Sequence, residues 1–252
     1  MRLIKKRLKS YFETKLGKLY HGDCLNMDIV KENSSIDLVL TDPPYDEITH
    51  HGAMTGSEKK FGIDFKFLDN PEEVLDHLLI VSNAWVLIFC SLEMLGKYQS
   101  FRIDKYVRGG VWDRVISAPQ MSGDRPGQGA EGIAIFHSVR KNMKWNGRGK
   151  HAIWRFPVER GKKVHPTQKP LALIQLLISL FSDVGHIVYD PFLGGGTTAV
   201  ACEKLGRRWI GIELDEKYCE IAAKRIEAES KLPRLFNAGY IKQKKKKVDG
   251  LF

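Results

Sequence analysis

The sequence predicts an α/β fold with a doubly wound, mixed but mostly parallel sheet, and three observations carry that prediction. Through the last third of the chain, strand-length apolar runs alternate with helical stretches: 185–190 strand, 197–205 helix, 208–213 strand, 215–229 helix. Two earlier runs, 36–40 and 84–90, are short and apolar almost throughout, as strands covered on both faces are. Two of the runs end at Asp-Pro corners, Asp42-Pro43-Pro44 and Asp190-Pro191, where proline cannot continue a hydrogen-bonded ladder.

Taken in order, residues 1–17 are a basic arm; up to Lys18 the chain holds seven Lys or Arg against one Glu, and this stretch reads as a short amphipathic helix or a loose arm. A single domain over 18–232 follows. It opens with a strand at Leu19-Tyr20-His21, the turn Gly22-Asp23 and a polar-apolar stretch from Cys24 to Lys31, and then the strand over 36–40. Residues 46–70 carry three glycines and mixed charge and read as a long loop, a length that is usually functional or disordered. Asn70-Pro71-Glu72-Glu73 is a helix start, with asparagine as cap, proline at the first helical position and acids in the first turn, and the helix should reach Val81. Strands are expected over 84–90, 111–117 and 132–137, the last two separated by a glycine-rich stretch from Met121 to Ala130.

The composition then shifts. Residues 138–164 form a short basic insert: from Ser138 to Lys163 there are nine Lys or Arg and one acid, Glu159, interleaved with Trp145, Trp154 and Phe156. An apolar helix over 171–181 leads back into the alternating third, and 233–252 is a lysine-rich tail expected to be disordered.

At 252 residues, 43% hydrophobic and 28% charged, the chain is long enough for one large core. Its formal charge of +10 favours an anionic partner, nucleic acid being the commonest for a basic enzyme of this size. Four cysteines without CxxC spacing suggest neither a zinc site nor a disulfide framework, and eight histidines form no ligand pattern, so no metal is expected and the setting is a reducing one. The start lacks the apolar core of a signal peptide, and no run approaches the roughly 18 residues of a membrane span. A cytoplasmic protein that does not engage a membrane is expected.

Gly194-x-Gly196-x-x-Ala199 lies between a strand and a helix, with Glu213 nineteen residues past Gly194 at the end of the next strand. Glycines let backbone approach a ligand, a helix start presents N–H groups to an anion, and an acid so placed takes a ribose hydroxyl pair. A nucleoside-containing cofactor follows: NAD, FAD or S-adenosylmethionine. No lysine follows Gly196, which disfavours a nucleotide triphosphatase. Asp190 favours S-adenosylmethionine, because an acid at the strand end suits an ammonium and repels a pyrophosphate.

Thr41-Asp42-Pro43-Pro44-Tyr45 suits methylation of an exocyclic amine on a flat base. The lone pair of such a nitrogen is conjugated into the ring and attacks poorly unless acceptors draw on its hydrogens. The Asp42 carboxylate and the Pro43 carbonyl are two such acceptors, held by the stiffness of the two prolines, so positioning matters more than basicity. Tyr45 would stack on the base, worth about 1–3 kcal/mol, against the few kcal/mol needed to flip it from a duplex.

With these residues in hand, the chain resembles the permuted, β-class DNA amino-methyltransferases, the N6-adenine/N4-cytosine family. The resemblance is carried by Tyr20-His21-Gly22-Asp23-Cys24, the Thr41 to Tyr45 motif, His165-Pro166-Thr167-Gln168-Lys169-Pro170, Asp190-Pro191-Phe192-Leu193-Gly194-Gly195-Gly196-Thr197-Thr198 and Gly211-Ile212-Glu213-Leu214. It implies a circularly permuted, Rossmann-like methyltransferase fold in which the catalytic motif precedes target recognition, which precedes the cofactor motif. It also implies S-adenosylmethionine as cofactor and double-stranded DNA as substrate, with Asp42 at the catalytic motif leaning toward adenine N6. Asp23 would face the cofactor's adenine, Glu213 its ribose, and Asp190 with the Gly194 to Gly196 turn its methionine part. His165 to Pro170 would close over the methionine end with Thr167 at the carboxylate, Phe192 lying alongside; Cys24, Lys169, Thr197 and Leu214 complete the cofactor set. A homodimer and a cognate restriction endonuclease are the further partners the resemblance brings in.

The basic insert is short for a target-recognition region, which predicts a short or relaxed target site. Arg140, Lys141, Lys144, Arg148 and Lys150 would contact phosphates, while Trp145 or an arginine would reach bases. The alternatives are N4-cytosine methylation, an RNA or protein amide methyltransferase, and a catalytically inactive nucleic-acid-binding module.

Overall fold

The computed structural model describes residues 9–25, 36–44, 70–115, 126–138, 143, 145–159 and 168–232. Among them nine strands form one sheet: β1 (Phe12–Glu13), β2 (Gly17–His21), β3 (Ile36–Thr41), β4 (Ser82–Cys90), β5 (Tyr106–Asp113), β6 (Ala130–His137), β7 (Ile153–Arg155), β8 (Ile187–Asp190) and β9 (Arg208–Glu213). Five helices accompany it: α1 (Pro71–Val81), α2 (Met94–Phe101), α3 (Leu171–Phe181), α4 (Thr197–Leu205) and α5 (Glu216–Ser230). The spatial order is β1-β2-β9-β8-β3-β4-β6-β5-β7.

The run β2-β9-β8-β3-β4 is parallel throughout, whereas β6 is antiparallel to β4 and β5, β7 rejoins β5 in parallel, and β1 folds back on β2. The predicted mixed, mostly parallel sheet is what forms. Its first long strand, β2, lies against its last, β9, with Gly17 opposite Trp209 and His21 opposite Glu213. The two ends of the domain therefore meet inside the sheet, the arrangement that a circular permutation produces.

Period-2 alternation divides the core between the two faces. Along β4, Trp85, Leu87 and Phe89 face one way and join the apolar sides of α3, α4 and α5. Val86, Ile88 and Cys90 face the other way and meet α1 and α2 through Val74, Leu75, Leu78, Met94 and Tyr98. The α4 crossover from β8 to β9 thus lies on one face and α1, ahead of β4, on the other. The winding reverses between β8 and β3, and in open sheets that reversal opens a crevice at the carboxyl ends of the strands.

The predicted start of α1 holds: the Asn70 side chain accepts the Glu73 N–H at 3.1 Å, with Pro71 in the first turn. Four features differ from the sequence reading. Residues 12–13 form a strand of the sheet, so the basic arm is neither helix nor loose at that point; Thr14 turns the chain, and its hydroxyl donates to Glu203 at 2.5 Å. β5 begins at Tyr106 and ends at Asp113, not over 111–117, because Gly109 and Gly110 continue the strand beneath Leu95 and Trp154 and Val115 takes a φ of 62°. Helix α2 was not foreseen: Glu93 at its cap position makes no capping bond, and Ser91 Oγ, two residues earlier, accepts the Met94 N–H at 3.3 Å instead. β7 is three residues long, too short for any periodicity to show.

Gly17 sits where β2 passes under Trp209: a Cβ there would lie 2.2 Å from the Trp209 carbonyl oxygen and 2.3 Å from its ring. Gly17→Ala is expected to destabilise the fold by about 1–3 kcal/mol through overpacking, read as a lower denaturant midpoint at unchanged slope. Asn70→Ala is expected to cost about 1 kcal/mol through loss of the α1 cap, measured in the same way.

Candidate active site

The strand order sets a line of polar residues along one edge of the sheet: His21 at the end of β2, Glu213 of β9, Asp190 of β8, Asp42 after β3, Glu131 at the start of β6, and Asp113 with Arg155 at the ends of β5 and β7. At the centre, where the winding reverses, β3 and β8 pair in parallel with Leu38 opposite Val188 and Val39 opposite Tyr189. This sets the catalytic-motif corner beside the cofactor-motif corner. Thr41 Oγ1 donates to Asp190 Oδ1 at 2.8 Å, and the same oxygen accepts the Phe192 N–H at 3.2 Å.

Asp190 is only 5% exposed. Burial raises its carboxyl to about 6 from the ordinary 3.8; hydroxyl donation from Thr198 and Thr41 and the Phe192 N–H pull it back, and the nearby Asp42 adds a smaller upward push.

The glycine turn begins directly after. Gly196 has a φ of 82° and caps α4, and a Cβ on it would lie 3.0 Å from the Ala222 Cβ of α5. Both its conformation and its surroundings therefore ask for glycine. Thr197 and Thr198 follow, buried, at the helix start. Arg225 of α5 donates to the Gly195 carbonyl and lies 3.4 Å from Thr197 Oγ1, holding the turn from behind. Glu213 holds it from the front: Oε2 accepts the Gly194 N–H at 2.7 Å and Oε1 the Asp215 N–H at 2.9 Å. A carboxylate has about four lone-pair positions, so these two bonds still permit a ligand hydroxyl. Burial raises the Glu213 carboxyl.

Beside Glu213, Leu214 is 58% exposed, an apolar side chain at an otherwise polar edge, and its carbonyl lies 3.0 Å from His21 Nε2. Gly22 N–H donates to the Glu213 carbonyl at 2.9 Å, which brings Asp23 and Cys24 to the same end. Asp23 is exposed, and Cys24 is buried with its thiol pushed up to about 12, chiefly by burial.

At the chemical end, Asp42 keeps 24% of its side chain exposed, and its Oδ2 lies 2.5 Å from Lys169 Nζ. Lys169, expected among the cofactor residues, is brought to Asp42, the expected catalytic residue. Glu159, the one acid of the basic insert, caps α3: Oε1 accepts the Leu171 N–H at 2.8 Å and Oε2 the Gln168 amide at 2.7 Å.

The rest of the insert is placed differently from the sequence reading. Trp145 packs on Phe181 with ring centroids 4.8 Å apart, lies over Gly147, and donates its indole N–H to the Arg148 carbonyl at 2.6 Å. Burial of that ring, rather than reach toward a base, sets its position. Asn146 donates to the carbonyls of Ser179 and Ser182 at the end of α3. Arg148 and Lys150 are exposed beside that end, about 16 Å along the helix from Leu171 at 1.5 Å per residue. The structure does not bring them to the edge that carries Asp42. Tyr45, Arg140, Lys141, Lys144, His165 and Thr167 lie outside the described residues.

Thr41, Glu131 and Arg225 escaped the sequence reading as site residues. Thr41 stood at the head of the Asp-Pro-Pro motif without a role of its own and Arg225 carried no motif signal, but an acid directly before the apolar run Gly132-Ile133-Ala134-Ile135 was a signal that a buried charge would need a partner.

A reversal of winding with a glycine turn, two strand-end carboxylates and an Asp-Pro-Pro corner along one edge defines a nucleoside-cofactor transferase acting on an amine. The comparisons place it more narrowly. A family model described as DNA methylase, N6_N4_Mtase, matches residues 36–224, and the chain belongs to that family. It is 30% identical over 246 residues to the Type II methyltransferase M.HinfI of Haemophilus influenzae, covering 84% of this chain and 68% of the relative. The crystal structure of the M1.HpyAVI–SAM complex superimposes with a TM-score of 0.64 at 28% identity, over 83% of this chain and all of the other. The PvuII cytosine-N4-specific DNA methyltransferase shares the fold, with a TM-score of 0.66 at 15% identity over 93% of each chain. The protein is an S-adenosylmethionine-dependent DNA methyltransferase.

The burial of Asp190 sets a testable balance. Between pH 3.8 and about 6 the folded protein holds a proton that the unfolded chain has released, so this group's contribution to stability falls as pH rises through that window. Asp190→Asn is therefore expected to melt higher than the wild type, without cofactor, at pH 8, and the gap should close toward pH 4. A gap independent of pH would contradict the cause given.

Proposed function

We propose that the enzyme transfers a methyl group to the exocyclic N6 of adenine in double-stranded DNA, within a short or relaxed target sequence. The observation that carries this reading is the Asp42-Pro43-Pro44 corner, lying across the Thr41–Asp190 hydrogen bond from the cofactor motif. The donor set suits S-adenosylmethionine: Asp190 for the ammonium, Glu213 for the ribose, exposed Leu214 for the face of the adenine, Asp23 for its edge, and the Gly194 to Gly196 turn for the methionine part. Phe192, Thr197 and Cys24 border the same end, with His165 and Thr167 proposed to cover the methionine.

When bound, the cofactor supplies an electrophilic methyl group on a sulfonium sulfur. Asp42 and the Pro43 carbonyl accept the two hydrogens of the target amine and orient its lone pair. The nitrogen sheds one proton as it gains the methyl, and Asp42 is the nearest acceptor. Tyr45 stacks on the flipped base. Such catalysis rests on orientation, because the alkylated nitrogen is acidic without a strong base.

A short target is supported by how little of the insert remains to read DNA. Trp145, Trp154 and Phe156 pack on the core, Asn146 caps α3, and residues 153–155 complete the sheet. Arg140, Lys141, Lys144, Arg148 and Lys150 are proposed to contact backbone phosphates, which orient DNA without reading it. The homology to Type II methyltransferases supports a restriction–modification setting with a cognate endonuclease, and four buried, unpaired thiols suit a cytoplasmic location.

Asp42→Ala should lower methyl transfer to DNA by about 10²-fold or more while cofactor affinity stays within a few-fold. Nucleoside analysis of DNA methylated by the enzyme should yield N6-methyladenine; N4-methylcytosine would reassign the base. Modified-base sequencing of DNA from cells expressing it should show a target of fewer than about six base pairs, because few side chains of the insert are left to read base edges. Cofactor affinity should weaken as pH falls below about 6, where Asp190 takes up a proton and loses its attraction for the ammonium.

A further inference from the structure

A line of alternating charges ties the ends of β5, β6 and β3 together. Arg114, just past β5, ion-pairs with Glu131; Glu131 Oε2 lies 3.3 Å from Lys169 Nζ; Lys169 Nζ lies 2.5 Å from Asp42 Oδ2. The two inner members are nearly withdrawn from water, Lys169 at 8% and Glu131 at 6% side-chain exposure. The ammonium also lies 5.2 Å from the centroid of the Phe89 ring, a cation–π distance. The two outer members, Asp42 and Arg114, keep 24% and 23% of their side chains exposed.

Burying an ammonium and a carboxylate is costly, and apolar residues of similar volume generally stabilise a core at least as well. What the pair does here is directional. Asp42 follows the last residue of β3, beyond the ladder that fixes the strand, and its carboxylate turns about two side-chain bonds. Lys169 holds Oδ2 from the buried side and so sets the plane in which the carboxylate meets an amine. A lysine alone is a flexible point charge on a four-carbon stem; Glu131 and the Phe89 ring remove that freedom.

We propose that Lys169 and Glu131 are positioning residues for methyl transfer: Glu131 orients Lys169, and Lys169 fixes the Asp42 carboxylate against the target amine. This rests on the reading that Asp42 contacts that amine, and it moves Lys169 from holding the cofactor to aiming the acid.

The test is steady-state methylation of DNA by Glu131→Gln, Lys169→Met, the double variant and Lys169→Arg, with cofactor binding measured separately. Glu131→Gln should lower kcat about 10-fold and Lys169→Met about 100-fold, the range that a misplacement near 1 Å produces. KM for DNA and cofactor affinity should stay within about twofold, since uniform binding is untouched. The double variant should be no slower than Lys169→Met, because both act through one carboxylate, and Lys169→Arg should recover part of the loss. Loss of cofactor affinity at unchanged kcat overturns the proposal, as do losses that multiply in the double variant. Should Lys169→Met not fold, the split between kcat and KM in Glu131→Gln and Lys169→Arg carries the same decision. Asp42→Ala in the same assay separates the two levels. Near-normal turnover there overturns the role of Asp42 itself, whereas inactive Asp42→Ala beside fully active Glu131→Gln and Lys169→Met overturns only the positioning roles.

Discussion

The parallel pairing of β3 with β8 is the contact on which the rest of the site depends. Only two residue pairs define its register, yet they bring Thr41 and Asp190, 149 residues apart in the chain, within one hydrogen bond. The pairing places two proline-terminated corners side by side where the winding of the sheet reverses. One corner carries an acceptor for an amine and the other opens the glycine turn. A slip of one residue would turn Leu38, Val39 and Leu40 to the opposite faces and separate the corners, so the apolar packing on both sides of the sheet specifies the site.

Charges gathered at that edge are handled in two ways. Asp190 is buried with three donors around it and still has a raised carboxyl, an arrangement that costs stability in the empty protein and favours a cationic ligand group. Asp42 is partly exposed and held from within by a lysine that is itself held by Glu131. Glu213 spans the two, its oxygens taken by the backbone of the glycine turn and of the turn into α5. Asp190 and Glu213 are each engaged by groups from more than one segment, and Asp42 by Lys169, so the edge is shaped before any ligand arrives.

The basic insert illustrates the competition between composition and packing. Its nine cations suggest a DNA-reading surface, and its aromatic residues suggest base contacts. In the fold the aromatics are drawn into the core beside Phe181, the asparagine satisfies helix-end carbonyls, and the lone acid caps the following helix. Burial of large apolar rings and satisfaction of helix termini outweigh the display of those groups to solvent. Among the described residues of the insert, these groups serve the fold.

Features governed by local sterics and periodicity could be read directly: the apolar strands 36–40 and 84–90, the Asn70 cap, the glycine turn, the two Asp-Pro corners and the acid at the end of β9. Proline, glycine and period-2 patterning act within a few residues, so each leaves its mark in sequence. The hairpin strand at 12–13, the three-residue β7 and the short α2 left little, because their existence depends on an edge or a surface supplied by distant segments. The same reasoning separates the two halves of the chemistry. That an aspartate, two prolines and a glycine turn would make an amine methyltransferase was legible from residue types and their order. That Lys169 would meet Asp42 across 127 residues, and that Glu131 would stand behind it, was decided only when β3, β4 and β6 came together. Buried charges choose partners by what the fold brings within reach, and no local pattern encodes that choice.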